Sequence, residues 1–238
     1  MNPFYQIYRL YPIYQPKPTL NMTTNIFWDW FAANSEPLTM LDDLSDTERR
    51  TLLDTMQKQL ELYCPGLTCE MGGKTPQGRR LTFSAEGDME LFAAVIALVD
   101  EAPDIDWWEF VAFKQPKGKD LKVVFDKYRF ETAKMYFMQL ECEEEPEMLG
   151  LRIAVPGLPP NYNPDAPDEE DRQVGVYVTV EALVGEFDCA TVIGYLELCP
   201  TPKEPLKEGF TPLDDLPEMM EWFKRKTHRD ATPETANK

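Results

Sequence analysis

The sequence predicts an α+β protein in which a mixed or antiparallel sheet is covered by helices. Three observations predict this class: a helix with a complete N-terminal capping signature, several short runs of alternating apolar residues, and a second amphipathic helix near the C-terminus. The runs and helices follow each other as strand–strand–helix–strand in two halves, residues 45–118 and 119–200, which we expect to form one compact unit.

The composition is that of a folded protein that does not cross a membrane. Apolar residues make up 43% and aromatic residues 12% of the 238 residues, and no apolar run approaches the roughly 20 residues of a membrane span. We predict a single domain over residues 22–228 and a flexible tail over 229–238. For the Pro- and Tyr-containing residues 1–21 we favour a loosely attached or non-native extension before a start at Met22; an ordered arm packed through its tyrosines is the alternative.

The stretch NIFWDWFAAN, residues 25–34, predicts the first helix. At 100° per residue its apolar side chains cover an arc of roughly 200°, so the sheet and the following helix must both cover it. Aromatic rings on one helix point away from each other and do not form a cage around a ligand. The pattern therefore favours packing of these rings in the core. Trp28, at the rim of the arc, is the one ring that we keep as a candidate partner contact.

The next helix has a defined start and end. Ser45 and Glu48 have the spacing of a capping box, in which each side chain accepts a hydrogen bond from a free backbone N–H of the first turn. Pro65 and Gly66 end the helix. Its apolar stripe consists of Leu52, Leu53, Met56 and Leu60.

A hairpin, a helix and a strand complete the first half. LTCEMGG and RRLTFSAEG alternate around a turn at residues 73–78, DMELFAAVIALVDEAP is a helix with Asp88 near its cap, and WWEFVAFKQP is a strand. Successive side chains of a strand point to opposite faces, so one of Trp107 and Trp108 is expected in the core and the other at an edge. Core packing is the simpler interpretation of the pair, and Trp107 is retained as a second candidate partner contact.

The second half has the same order, with AKMYFMQLECE, LGLRIAVPG, a segment over 172–184 and TVIGYLEL. The segment over 172–184 is ambiguous. Its valines at 174, 176, 178 and 180 alternate as in a strand, whereas Val176, Val180, Leu183 and Val184 fit a helix. We favour the helix because both halves then have the same order. LDDLPEMMEWFKRK predicts a last helix, in which Asp215 precedes Pro217 in the first turn.

Carboxylates dominate the charge of the chain. There are 42 Asp and Glu against 24 Lys and Arg, a net charge of −18, which disfavours direct binding to nucleic acid or to an anionic membrane. The run Asp168, Glu169, Glu170 and Asp171 lies in a Pro-rich stretch, where a solvated acidic loop is favoured over a calcium site or a contact with a basic partner. We retain these four residues as candidate partner contacts.

Residues for metal or nucleophilic catalysis are scarce. His228 is the single histidine, and the five cysteines have no C-x-x-C spacing, which disfavours a zinc site, a disulfide framework and a Cys–His pair. GGKTPQGRR lacks the first glycine of a phosphate-binding loop and is predicted to be a turn. We therefore predict no catalytic residue, no cofactor and no metal, although a carboxylate pair for glycosidic hydrolysis stays open in so acidic a chain.

Four segments carry a resemblance: FWDWF, CPGLTCEMG, LTFSAEGDMELFAAVIALVDEAPDIDWWEFVAFKQP and EALVGEFDCATVIGYLEL. They resemble a family of uncharacterised bacterial proteins, and the similarity covers most of residues 26–198. The resemblance implies a shared α+β fold and a helix over Val174–Val184 that ends at Gly185. It implies no catalytic residue, since that family has no established activity.

These observations favour a cytoplasmic protein that binds another protein and does not catalyse a reaction. An inhibitor or immunity-like protein that neutralises a basic partner is one concrete form, which rests on charge alone. The alternatives are a carboxylate-dependent hydrolase of a sugar or small substrate, and an acidic mimic of nucleic acid. A flat acidic face beside an exposed tryptophan would favour binding, whereas a deep pocket with two facing carboxylates would favour the hydrolase.

Overall fold

A computed structural model describes residues 25–73, 76, 78–141, 147–166 and 169–227, so the extension over 1–21 and the tail over 229–238 lie outside the described residues. Six α-helices and three sheets in the described part confirm the α+β class. The chain divides into two compact units, which cover 25–114 and 115–227 of the described residues. The single domain over 22–228 stays a prediction. None of the described helices combines the length and the apolar character that a membrane crossing requires.

The unit over 25–114 contains three helices and one three-stranded sheet. These elements are α1 (Asn25–Thr39), α2 (Asp46–Tyr63), β1 (Thr68–Met71), β2 (Arg79–Ser84), α3 (Phe92–Asp100) and β3 (Trp108–Ala112). β1 and β2 form the predicted antiparallel hairpin, and α3 returns the chain so that β3 pairs in parallel with the other edge of β2. The capping box is confirmed: the hydroxyl of Ser45 accepts from the N–H of Glu48, and the Glu48 carboxylate accepts from the N–H of Ser45.

Aromatic rings of α1 lie at the centre of the core of this unit. Phe27 and Phe31 are fully buried. The ring of Phe27 contacts Phe83 of β2 edge to face at 5.4 Å, and the ring of Phe31 contacts Phe110 of β3 at 5.3 Å. α2 packs against α1. The expected cover by the sheet and by the following helix is therefore confirmed, and each buried ring stabilises the fold by about 1.5–3 kcal/mol.

The unit over 115–227 contains a four-stranded sheet and a separate hairpin. Its elements are β4 (Lys122–Phe125), β5 (Tyr128–Glu131), β6 (Tyr136–Glu141), β7 (Leu149–Val155), α4 (Glu170–Val184), α5 (Glu186–Val192), β8 (Ile193–Pro200), β9 (Thr211–Pro212) and α6 (Leu216–Lys226). β7 pairs antiparallel with β6 and parallel with β8, so the order across the sheet is β8-β7-β6-β9. Each unit thus contains the order strand–strand–helix–strand. The β4–β5 hairpin, which turns at Asp126 and Lys127, was not predicted.

The segment over 172–184 is a helix, which settles the ambiguity between strand and helix. Val176, Val180, Leu183 and Val184, the helical set, are all buried in one hydrophobic core. Val174 and Val178, which a strand would bury together with Val176, are only partly buried. The helix ends at Gly185, whose φ of +88° lies in the region that favours glycine.

Gly175 lies where α4 packs against β5, and we predict that no larger residue fits there. A Cβ on Gly175 would lie 2.9 Å from Cζ of Phe130 and closer still to its Cε2, and Phe130 is buried. Alanine is favoured over glycine in a helix by about 1 kcal/mol, but overpacking a core costs about 1–3 kcal/mol. We therefore expect Gly175→Ala to lower the free energy of unfolding in a urea titration. Gly73→Ala is the control because a Cβ there meets no atom within 4 Å, and an equal loss in both variants would contradict the packing argument.

Candidate protein-binding surface

The end of α3 and its connection to β3 carry four exposed carboxylates. α3 ends at Asp100, and Asp100, Glu101, Asp104 and Asp106 are all exposed, with no basic residue between them. The N–H of Trp108 donates to the carbonyl oxygen of Ile105 at 3.1 Å, so the chain turns immediately before β3 begins. Trp107 lies within this turn. We call Trp107 and the four carboxylates the Trp107 surface.

Trp107 has an unusual backbone conformation for a bulky residue. Its side chain is 62% exposed and its φ is +70°. In this left-handed region the Cβ crowds the following carbonyl oxygen, which costs roughly 1–2 kcal/mol for a residue other than glycine. A hydrogen bond of 2.8 Å from the N–H of Arg79 to the carbonyl oxygen of Trp107 holds the conformation. Neighbouring structure, and not burial of the indole, therefore determines where Trp107 points.

Gly78 makes this close approach possible. Its φ is +120°, and a Cβ on Gly78 would lie 2.6 Å from the carbonyl carbon and 2.8 Å from the Cα of Trp107. Real Cβ atoms do not come so close to backbone. A side chain at position 78 would therefore displace Trp107 or the start of β2.

Arg79, the first residue of β2, is a buried residue that holds the backbone of Trp107 in position. It is 3% exposed. Its guanidinium donates to the carbonyl oxygens of Thr39 at 2.9 Å and Gly72 at 3.2 Å, and it also forms an ion pair with Asp42. A buried guanidinium with three acceptors binds them in a fixed geometry. The end of α1, the turn of the hairpin and β2 are therefore joined at the residue that bonds to Trp107.

Trp108 provides the second anchor for the turn. Its indole N–H donates to the hydroxyl of Thr39 at 3.0 Å, and its ring contacts Phe31 edge to face at 4.9 Å. Trp108 is half-buried, whereas Trp107 is exposed. The prediction that one indole of this pair faces the core and the other faces outward is confirmed.

Trp28 does not lie at a rim, so that prediction is wrong. Its side chain is 4% exposed, its indole N–H donates to the carbonyl oxygen of Leu98 at 3.0 Å, and its ring contacts Phe110 at 4.6 Å. The reason is that α3 covers the side of α1 that a single-helix projection leaves open. Trp28 is therefore part of the core, and we do not propose it as a partner contact.

The acidic run at 168–171 belongs to the unit over 115–227. Glu169 is mostly buried: its Oε2 lies 2.8 Å from Nε of Arg172, close enough for an ion pair although the angles do not fit a hydrogen bond. Glu170 and Asp171 are exposed in the first turn of α4, where the helix dipole favours carboxylates. Asp168 lies outside the described residues. Glu170 and Asp171 therefore remain the accessible part of this run.

The described cysteines are in environments that disfavour the thiolate. Burial is the largest cause and raises the pKa of all four of them: Cys64, Cys69, Cys189 and Cys199. A nucleophilic cysteine needs the opposite, a lowered pKa. Among the residues that the structure describes, no group of three or more His, Cys, Asp or Glu is placed to hold a metal ion.

A carboxylate-dependent hydrolase requires two carboxylates that face each other in a pocket. A groove of about 390 Å³ between α1 and α2 is lined by one carboxylate, Glu48. Hydrogen bonds from Ser45 lower the pKa of Glu48, so it does not serve as a general acid. Glu181 and Glu186 are buried on the two sides of Gly185, and both engage other groups of the chain. Because buried charges require partners, we assign these two glutamates to the fold.

Comparisons of this chain with protein-family models, with curated proteins and with solved structures find no match. The resemblance to a family of uncharacterised bacterial proteins stays a prediction. The assignment of the Trp107 surface therefore rests on its geometry alone.

We predict that Trp107 contributes little to stability. Glycine adopts φ of +70° without crowding, at an entropic cost of about 0.5–1 kcal/mol, so Trp107→Gly should leave the free energy of unfolding unchanged or raise it by up to about 1 kcal/mol. The matched control is Trp222→Gly, which places glycine inside α6 and should lower stability by about 1 kcal/mol. A loss of about 2 kcal/mol or more in Trp107→Gly would show that the indole packs against the fold.

We also predict that Cys69 is unreactive in the native protein. Burial, and after it the nearby Glu70 carboxylate, raises the pKa of the Cys69 thiol to about 12 from an ordinary value of 9.0. At pH 8 the thiolate fraction is then about a thousandfold smaller than in the unfolded chain. Iodoacetamide labelling followed by peptide mass spectrometry in buffer and in urea measures this difference, and equal rates would contradict the burial of the thiol.

Proposed function

We propose that this protein acts by binding a basic protein through the Trp107 surface, without catalysis. The observation that carries the proposal is an indole that is 62% exposed, on a residue in a left-handed conformation, at the end of a segment over 100–107 that contains four exposed carboxylates. From the sequence, we expected that a flat acidic face beside an exposed tryptophan would favour this function.

The two components of the surface have different roles in binding. Tryptophan is enriched among the residues that dominate interface energies, because it buries a large area with few rotatable bonds. The carboxylates attract a basic partner and set the rate of encounter more than the final affinity. The net charge of −18 of the whole chain extends the same attraction over a longer range.

An inhibitor or immunity-like protein is the specific form of this function that fits the charge. Such a protein neutralises a basic enzyme by covering it, and it needs a rigid acidic surface with a hydrophobic centre. The buried Arg79 supplies the rigidity, since its N–H bonds to the carbonyl oxygen of Trp107, and Gly78 leaves room for the close approach. Glu170 and Asp171, which belong to the unit over 115–227, stay separate candidate contacts with a basic partner.

We expect Trp107→Ala to weaken partner binding while the fold stays intact. Co-purification from extracts at low salt should recover a basic protein, and recovery should fall as salt screens the carboxylates. Loss of a central tryptophan costs about 2 kcal/mol or more, a factor of roughly 30 in Kd measured with the purified partner. The control is Trp222→Ala, which removes an indole of similar exposure, 48%, that lies 5.0 Å from Nζ of Lys226 on α6.

A second pair of substitutions separates attraction from contact. Asp104→Asn combined with Asp106→Asn should slow association and weaken its salt dependence, with a smaller effect on dissociation than Trp107→Ala. Two results would contradict the proposed function: no protein retained at low salt, or a partner that binds Trp107→Ala as tightly as the unchanged protein.

A further inference from the structure

The β4–β5 hairpin and its flanks carry a local excess of positive charge in an acidic chain. Residues 117–134 contain six of the 24 basic residues and three of the 42 acidic ones, so their net charge is +3, whereas that of the whole chain is −18. All six basic side chains are exposed: Lys117, Lys119, Lys122, Lys127, Arg129 and Lys134. The hairpin is therefore a basic surface within the unit over 115–227.

The two faces of the hairpin have different environments. Phe130 of the inner face is buried, and Val123 and Phe125 of the same face pack against the hydrophobic core of the unit. On the outer face the side chain of Val124 is 64% exposed, and Arg129 is its partner across the two strands. The outer face therefore places an uncovered apolar side chain beside a guanidinium.

Cations lie on both sides of Val124. Lys122 precedes it by two residues on β4, about 7 Å along the strand, and so lies on the same face. Lys127 lies in the turn of the hairpin, with its Nζ 5.1 Å from the centre of the Tyr128 ring. We call Lys122, Val124, Lys127 and Arg129 the hairpin surface.

The carboxylates of the hairpin leave these cations without ion pairs. Glu131 lies opposite Lys122 in the strand register, but its ion pair is with Lys134, at 2.8 Å. In the part of the chain that the structure describes, no carboxylate lies within ion-pair distance of Lys122, Lys127 or Arg129. The positive charge of the hairpin surface is therefore available to another molecule.

We propose that the hairpin surface binds an extended acidic segment of another protein. Alternate side chains of an extended segment lie about 7 Å apart on one face, which matches the spacing of Lys122 and Val124. A segment with a carboxylate, an apolar residue and a second carboxylate at alternate positions fits this surface. Its apolar residue covers Val124, and Arg129 binds a carboxylate through parallel hydrogen bonds that fix its orientation.

Charge and shape favour a protein segment over nucleic acid. Proteins that bind single-stranded nucleic acid supply aromatic rings on which the bases stack, whereas Phe125, Tyr128 and Phe130 pack against the core of the unit. A long polyanion is also repelled by the net charge of −18, whereas a short segment interacts mainly with charges within the screening distance of about 8 Å. The inference does not depend on the proposed function, because the Trp107 surface uses other residues and the opposite charge.

A labelled synthetic peptide tests the proposal by fluorescence anisotropy with the full chain. In this probe glutamate, valine and glutamate occupy alternate positions, and threonine fills the others. We expect saturable binding at low salt that weakens as salt is added. Lys122→Gln combined with Arg129→Gln should raise Kd about tenfold. The matched control, Lys203→Gln combined with Arg225→Gln, removes the same charges at exposed positions of the same unit and should leave Kd nearly unchanged.

Two further variants separate apolar contact from charge and this surface from the Trp107 surface. Val124→Thr keeps the branched Cβ that strands favour and removes apolar area, so it should raise Kd about threefold. Trp107→Ala should leave Kd for the peptide unchanged, whatever its effect on a basic partner.

Four results would overturn the proposal. They are no binding of the peptide at low salt, equal binding of a peptide with glutamine in place of glutamate, an equal rise in Kd in both pairs of charge substitutions, and a Val124→Thr variant that binds as tightly as the unchanged protein. A single-stranded oligonucleotide that binds more tightly than the peptide, and loses affinity in Lys122→Gln with Arg129→Gln, would also overturn it by assigning the hairpin surface to nucleic acid.

Discussion

The unit over 25–114 depends on the burial of one guanidinium. Removing a charge from water costs several kcal/mol unless its hydrogen bonds are made, so Arg79 is stable in the interior only when its acceptors are in place. Two of these acceptors belong to the end of α1 and the turn after it, 40 and 37 residues before Arg79, and the third belongs to the hairpin. The backbone N–H of the same residue bonds to Trp107. The fold and the proposed binding surface therefore share one structural requirement, and a change that releases the guanidinium should disturb both.

Each unit has an Arg–Glu ion pair across its two parallel strands. In register across β2 and β3, the guanidinium of Arg80 bonds to the carboxylate of Glu109 at 2.9 Å; across β7 and β8, the guanidinium of Arg152 bonds to that of Glu197 at 2.5 Å. Both pairs are about half exposed, so each adds little stability. A slip of one residue would turn the paired side chains to opposite faces of the sheet.

The elements whose signals are local could be predicted from the sequence. The prediction failed where an element distant in the sequence determines the environment of a residue. The capping box at Ser45, the hairpin and the helix that ends at Gly185 each have their determinants within a few residues. The β4–β5 hairpin also has a local pattern, but its turn places Asp126, and not glycine, at a φ of +50°, which weakens the usual turn signature. Trp28 was misplaced because periodicity gives a direction around the axis of α1 but not the position of α3. The strain at Trp107 was equally hidden, since Gly78 and its neighbour in β2 impose it from about 30 residues away.

Exposure alone does not distinguish Trp107, because exposed apolar side chains are common on folded proteins. Trp222 is also exposed, but it lies on an ordinary helix beneath Lys226 and carries no conformational cost. Phe113 shares the left-handed backbone, with φ of +65°, yet its ring is 3% exposed and packs on Phe92 at 4.6 Å, so burial offsets its strain. Trp107 combines the backbone conformation of Phe113 with the exposure of Trp222, and burial of its indole does not offset the strain. A partner that covered the indole would remove its apolar surface from water, which is the physical reason for placing the proposed binding surface here.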